Sequence, residues 1–254
     1  MAEVTCGPTL HGMLEPHQMS RALVITAHPD DVDFGAAGTV ANLTDRGVEV
    51  TYCLVTDGDA GGFDHSIPRP EMALMRREEQ TRAAKEVGVE HLMFLGFGDG
   101  RVQADLTLRA ALSRAIRIVR PQLVITQSPH LDLSRIYGSH PDHVATGQAA
   151  IAAVYPDARN PFAHPELLAE GLEAWAVPEV WVMSFAGSDA LLAHVEDVTD
   201  NVDRKVRALL SHQTQHVDPS RTEQVVRSWM AATAQRFDLA EGRAAEAFHV
   251  VDTR

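Results

Sequence analysis

Cysteine and basic residues are both scarce in this 254-residue chain. Its two cysteines, Cys6 and Cys53, are too few to form a disulfide framework. Lysine and arginine together number 22, against 35 aspartates and glutamates, which gives a formal net charge of −13. Because a protein that grips nucleic acid or an anionic membrane needs a basic surface, we expect neither as a partner.

The chain also lacks long apolar runs. Nowhere do about 18 apolar residues follow one another, so we predict no transmembrane span. Residues 1–18 lack the basic and apolar blocks of a signal peptide, and we expect a disordered leader there and a cytoplasmic protein. Since no Ser-, Gly- or Pro-rich linker divides residues 19–254, they are predicted to form a single domain. A homo-oligomer is compatible with the sequence.

What the chain does contain is an alternation of short apolar runs with amphipathic stretches. The predicted strands are LVIT (23–26), VEVTYCLV (48–55), HLMFLGF (91–97), QLVITQ (122–127) and EVWVMSF (179–185). The predicted helices between them cover 35–46, 71–87, 106–120 and 141–154. This alternation predicts an α/β fold, a Rossmann-like doubly wound and mostly parallel sheet. Predicted helices at 201–212 and 223–235 form a C-terminal helical extension, which the apolar run AFHVV follows.

Two phrases rich in potential metal ligands follow predicted strands. AHPDD covers residues 27–31 and SHPDH covers residues 139–143. Ligands of doubly wound sheets bind beyond the carboxyl ends of the strands, so the two phrases can meet there. A residue before proline is extended, and proline favours the first position of a helix. His28 and Asp31 can therefore point into one space, and His143 can complete a set of three ligands.

Two imidazoles and one carboxylate suit catalytic Zn²⁺, but they also suit Fe²⁺ or another divalent metal. The aspartates alone would also favour a helix N-terminus, yet capping needs no histidine. The first strand turn lacks G-x-G-x-x-G, and its carboxylates would repel a pyrophosphate, which disfavours a dinucleotide site. A receiver-like, non-enzymatic module that binds Mg²⁺ is an alternative, although it leaves HPDH unexplained.

Taken together, these phrases resemble the LmbE/PIG-L family of metal-dependent de-N-acetylases, which is related to deacetylases of the mycothiol and bacillithiol pathways. The resemblance rests on AHPDDVDFG, LVTDGDAGG, RREEQTRAAKEVGV, GFGDGRV and SHPDH. It continues in PEVWVM, DRKVRALLSHQTQ and AEAFHV, and so covers about Ala22 to Val251.

The resemblance implies a set of metal-binding and catalytic residues. Zinc would be bound by His28, Asp31 and His143. Asp30 would act as the general base, and His140 would be the second catalytic group.

Further residues have supporting roles by the same resemblance. Asp142 would tune or orient His140, and Arg76 and Asp99 would contact the sugar. The simpler interpretations are a surface ion pair between Arg76 and Glu79 and an ordinary turn at Asp99.

Two other residues are not placed among the catalytic or binding residues. Tyr137 stands three residues before His140, whereas some members of the family have a tyrosine two before that histidine, so no role is assigned to it. His212 is interpreted as a capping or core residue.

The implied function is hydrolysis of an N-acetyl group from an N-acetylglucosaminyl-type substrate, which releases acetate and a free amine. The expected partner is thus a small amino-sugar compound. An amidase that cleaves a thiol conjugate of a glucosaminyl compound is an alternative with the same chemistry. An Fe²⁺ oxygenase fits less well, because its ligand triad usually occupies an all-β barrel while this chain alternates helix and strand.

Overall fold

Seven strands form one sheet in the computed structural model, which describes Leu14 and residues 18–183 and 193–254. The strands are β1 (Arg21–Thr26), β2 (Glu49–Thr56), β3 (His91–Phe97), β4 (Leu123–Thr126), β5 (Glu179–Met183), β6 (Ala193–Asp197) and β7 (Ala245–Asp252). Apart from Leu14 and Gln18, the predicted leader lies outside the described residues. Leu14 is buried, and its backbone N–H donates to Glu179.

The strand order places a ligand crevice in the middle of the sheet. The order is β3-β2-β1-β4-β5-β7-β6. Strands β1 to β5 are parallel, and β7 is antiparallel to both of its neighbours. The chain builds outward from β1 to β3 and then adds β4 on the other side of β1, so the order reverses between β1 and β4. The predicted doubly wound, mostly parallel sheet is confirmed, and ligands of such sheets bind at this reversal.

Eight α-helices accompany the sheet within the described residues. They are α1 (Asp31–Gly35), α2 (Ala37–Asp45), α3 (Arg69–Glu86), α4 (Leu106–Val119), α5 (Pro141–Ala152), α6 (Pro165–Ala169), α7 (Val202–Leu210) and α8 (Pro219–Arg236). The helix predicted over 35–46 differs from the structure, because the backbone of Ala36 is non-helical (φ −146°) and separates α1 from α2. Strand β6 and helix α6 were not predicted.

The core lies on both faces of the sheet, since successive strand residues point to opposite sides. Val24 and Tyr52 pack on one face with residues of α2 and α3. Ile25 and Cys53 pack on the other face with residues of α4 and α5. Each large apolar side chain buried in this way contributes about 1.5–3 kcal/mol.

A buried ion pair attaches the C-terminal part to the helices that follow β1. Lys205 of α7 donates to Glu246 of β7 at 2.5 Å and to the Phe34 carbonyl at 2.7 Å. Glu246 also accepts from the backbone N–H groups of Gly38 and Thr39 at the start of α2. Breaking such a buried pair typically costs about 3–5 kcal/mol, so these contacts hold α1 and α2 in place.

Among the described helices, none has both the length and the apolar character needed to cross a membrane.

Candidate active site

Three side chains predicted as metal ligands meet at the carboxyl ends of β1 and β4. His28 follows β1, Asp31 begins α1, and His143 lies in the first turn of α5. His28 Nδ1 is 3.3 Å from an oxygen of Asp31 and 3.2 Å from His143 Nε2. His143 Nε2 is 3.0 Å from the other oxygen of Asp31.

These separations fit a single small cation. Ligand atoms about 2.0–2.1 Å from one tetrahedral zinc lie about 3.3 Å apart, close to the separations observed. His140 is a further neighbour, and its nitrogen lies within 4.8 Å of those of His28 and His143. Asp31 contacts both imidazoles, with one oxygen towards each, and His140 lies beside these three side chains.

The opposite nitrogen of His28 faces two carboxylates. His28 Nε2 is 3.2 Å from Asp99 and 3.3 Å from Asp142. Asp142 also accepts from the backbone N–H groups of Gly100, at 2.7 Å, and Val102, at 3.3 Å. A carboxylate on the second nitrogen commonly orients a metal-binding histidine. The carboxylates of Asp142 and Asp99 thus both face His28, while the roles predicted for them, at His140 and at the sugar, stay predictions.

Three carboxylates surround His28, those of Asp31, Asp99 and Asp142. Burial lowers the pKa of His28, but neighbouring aspartates, Asp31 foremost, outweigh burial and raise that pKa to about 12. Burial raises the pKa of Asp31, yet His143 and His28 hold it well below its usual range. An environment that favours a proton on His28 so strongly also favours a divalent cation.

Asp30 turns its carboxylate to a different partner from that of Asp31, the next residue in the chain. Its φ of 90° lies in the left-handed region, which costs a residue other than glycine about 1–3 kcal/mol. Its carboxylate pairs with Arg76 at 3.0 Å. Burial raises the pKa of Asp30, the Arg76 guanidinium counteracts part of this effect, and Asp31 adds to it. A carboxylate with a raised pKa is a better general base near neutral pH.

Arg76 is only 3% exposed and holds the backbone around Asp30. It donates to the carbonyl oxygens of Pro29 and Gly58 as well as to the Asp30 carboxylate. A side chain at Gly58, where φ is +66°, would collide with the guanidinium. Arg76 is therefore enclosed by protein groups instead of being open to a sugar. The simpler interpretation, a surface pair with Glu79, is wrong because Glu79 is buried and accepts from Thr214.

His140 is exposed and lies beside the ligand set. Its ring centroid is 5.0 Å from that of His28 and 5.4 Å from that of His143. The backbone N–H of Asp142 donates to His140 Nδ1 at 3.2 Å, which leaves Nε2 as the donor of the neutral ring. Burial, together with His28 and His143, lowers the pKa of His140. The side chain of Tyr137 lies outside the described part of the chain.

Asp33, Gln80 and His212 form a second group of buried polar residues. Sequence reasoning interpreted His212 as a capping or core residue and missed how it is linked to Asp33 and Gln80. Gln80 links the Asp30 backbone to Asp33, and His212 contacts Asp33 from the segment after α7. The detectable signal was in α3, where Arg76, Glu79 and Gln80 have the i, i+3, i+4 spacing of one helix face. Polar residues on a face that packs inward indicate partners elsewhere in the fold.

The chain is similar to known deacetylases in sequence and in fold. The chain is 33% identical to the diacetylchitobiose deacetylase of Thermococcus kodakarensis over 199 residues, which cover 78% of this chain and 71% of that one. It is 31% identical to a probable N-acetyl-alpha-D-glucosaminyl L-malate deacetylase 2 of Bacillus cereus, over 76% of this chain and 82% of that one. The structure of the N,N'-diacetylchitobiose deacetylase of Pyrococcus horikoshii superposes with a TM-score of 0.83 at 28% identity, over 93% of this chain and 85% of that one.

The fold, the site and these similarities identify the class of the protein as an amide hydrolase of the deacetylase type. Residues 23–154 match the family described as "PIG-L: GlcNAc-PI de-N-acetylase", and the chain belongs to this family. The family resemblance and the α/β fold drawn from the sequence are confirmed.

Proposed function

We propose that this protein removes the N-acetyl group from an N-acetylglucosaminyl-type compound and uses Zn²⁺ held by His28, Asp31 and His143. The observation that carries this proposal is the convergence of these three side chains, with ligand atoms 3.0–3.3 Å apart, near the partly buried carboxylate of Asp30. The relatives named above are deacetylases of sugar derivatives, which supports the substrate class.

The proposed mechanism uses two groups that flank the ligand set. When bound, Zn²⁺ supplies a Lewis acid that lowers the pKa of water to about 7 and polarises an amide carbonyl. Asp30 takes the proton of the attacking water. His140 Nε2–H donates to the oxygen that becomes negative as the carbonyl carbon turns tetrahedral. The proton held by Asp30 is then available to the departing amine nitrogen, and acetate and a free amino sugar result.

Neither Arg76 nor Asp99 needs to touch the sugar in this proposal. Arg76 stabilises the ionised Asp30, and Asp99 supports His28 together with Asp142. The sugar would bind beyond the carboxyl ends of β1 and β4, beside these groups.

The test is an assay of acetate and primary-amine release by the zinc-loaded protein, with EDTA-treated protein as the control. The panel contains N-acetylglucosamine, diacetylchitobiose, N-acetylglucosaminyl malate, the inositol glycoside named for mycobacterial relatives, and a thiol conjugate of a glucosaminyl compound. Release that depends on zinc is expected from at least one acetylated sugar. Release from the thiol conjugate alone would favour the amidase, and no release at all would contradict the proposal.

Two variants test the residue roles within that assay. His28→Ala should lose both metal and activity, whereas Asp30→Ala should keep the metal and lose about 10²–10⁴-fold in rate. Asp203→Ala, which removes an exposed carboxylate of α7, is the matched control and should behave as wild type. An Asp30→Ala enzyme with full activity would refute the base assignment.

A further inference from the structure

A chain of buried hydrogen bonds lies behind Asp30. Gln80 of α3 accepts the backbone N–H of Asp30 at 2.9 Å and donates to Asp33 at 2.9 Å. His212 Nε2 is 2.8 Å from the same oxygen of Asp33. The side chains of Gln80, Asp33 and His212 are fully buried.

The donor and acceptor of each of these hydrogen bonds follow from the chemistry of the three side chains. A carboxylate only accepts hydrogen bonds, so Asp33 requires N–H donors from both Gln80 and His212. Gln80 must then turn its amide nitrogen towards Asp33, which leaves its carbonyl oxygen for Asp30. Since Asp30 precedes the first turn of α1, its N–H has no partner within that helix and depends on Gln80.

The left-handed backbone of Asp30 explains why such support is needed. The two adjacent carboxylates serve different partners, because Asp31 faces His28 and His143 while Asp30 faces Arg76. A φ of 90° at Asp30 allows this divergence. Such a conformation persists only where the surrounding structure holds it.

We propose that Gln80 is a positioning residue for Asp30, holding its strained backbone so that its carboxylate stays beside the metal ligands without becoming one. Asp33 and His212 in turn fix the orientation of the Gln80 amide. This inference rests on the proposed function, in which Asp30 is the base.

The test compares Gln80→Met, which removes both hydrogen bonds, with Gln80→Glu, which keeps an acceptor for Asp30 but loses the donor to Asp33. For Gln80→Met at full zinc occupancy we expect kcat to fall about 10²-fold while KM changes less than about twofold. Affinity for Zn²⁺ should stay at the wild-type value, because none of the three ligands is altered. Gln80→Glu should lie between wild type and Gln80→Met in kcat.

A second readout does not depend on activity. Hydrogen–deuterium exchange of the peptide that covers residues 28–33 should be faster in Gln80→Met, since the Asp30 amide loses its acceptor. The control is Ala84→Gly, one turn further along the buried face of α3, which weakens the helix without touching Asp30. Wild-type kcat or unchanged exchange at residues 28–33 in Gln80→Met would overturn the proposal.

The two proposals fail in different ways. If the wild-type protein cleaves nothing in the panel, the proposed function fails, and the exchange measurement alone decides whether Gln80 holds this segment. If Gln80→Met does not fold, the same two measurements on Gln80→Glu decide, with wild-type values in both overturning the proposal.

Discussion

At the scale of single residues, four aspartates within one small site differ in what they contact. Asp31 faces the imidazole nitrogens that would hold a metal, and Asp99 and Asp142 face the far nitrogen of His28. Although burial raises the pKa of Asp99, its bond to His28 brings that pKa down to about 2. The pKa of Asp30 is raised. Carboxylates whose pKa values are shifted in opposite directions commonly have different roles, one as a charged support and the other as a proton acceptor.

The contacts of Asp142 lead to a prediction about metal affinity. Asp142→Asn replaces the carboxylate that faces His28, so we expect the affinity for Zn²⁺ to fall about 10–100-fold. Competition with a chelating dye measures this affinity. Asp105→Asn makes the same change at the N-cap of α4, where asparagine caps equally well, and should leave the affinity unchanged. Unaltered zinc affinity in Asp142→Asn would contradict a role of Asp142 in orienting His28.

At the scale of elements, the approach of α5 to the end of β4 brings the two HPD phrases together. A Cβ at Gly147 of α5 would lie against the backbone of Gln127 and Ser128. Gln127 in turn accepts the backbone N–H of Ala27, the residue before His28. The close approach at Gly147 therefore fixes His143, one turn earlier in α5, relative to the loop that carries His28.

Gly147→Ala tests this arrangement. The added methyl group must push α5 away from the backbone, so we expect a loss of about 1–3 kcal/mol in the free energy of unfolding and a weaker zinc site. Ala152→Gly is the control on the same helix, because it costs about 1 kcal/mol through helix propensity alone. Denaturation and zinc titration of both variants separate the two effects. Equal zinc affinity in the two variants would show that the position of α5 does not determine the affinity of the metal site.

At the scale of the whole molecule, buried ion pairs join segments far apart in the chain. Asp157, which is 4% exposed, accepts two hydrogen bonds from Arg109 of α4, at 2.8 and 2.9 Å, and lies 3.4 Å from His164. Burial raises the pKa of Asp157, but Arg109 and His164 bring it below its usual value. The stability that this pair contributes is therefore fully present above the pKa of about 3.9 in the unfolded chain, and is lost as the pH falls through the folded pKa.

Asp157→Asn should reveal this dependence on pH. At pH 7 we expect the variant to be less stable than wild type by about 1–3 kcal/mol, because charge-assisted bonds to Arg109 are weakened. At a pH of about 3 the difference should shrink, since this pH lies below the pKa of about 3.9 in the unfolded chain and the stabilisation declines towards the folded pKa. Urea denaturation at both values measures the change. A difference that stays constant between them would contradict this interpretation.

Much of the architecture was predictable because strands and helices follow local periodicity. The five parallel strands appear where apolar runs predicted them, and α3, α4 and α5 begin and end within a few residues of their predicted bounds. Strand β6 (AHVED) escaped prediction because it is a short edge strand with few apolar residues. The disordered leader, the cytoplasmic location, the homo-oligomer and the individual site roles stay predictions.

The sequence by itself determined which chemistry is available, since two HPD phrases beyond buried strands supply the imidazoles and carboxylates of a metal site. Only the tertiary structure decided how those groups are paired. Asp142 lies two residues from His140, yet it faces His28 because loop amides at Gly100 and Val102 hold its carboxylate there. Arg76 and Gln80 turn inward to Asp30 for a similar reason. Local periodicity depends on neighbours along the chain, whereas the partner of a buried polar group depends on whichever distant segment folds against it.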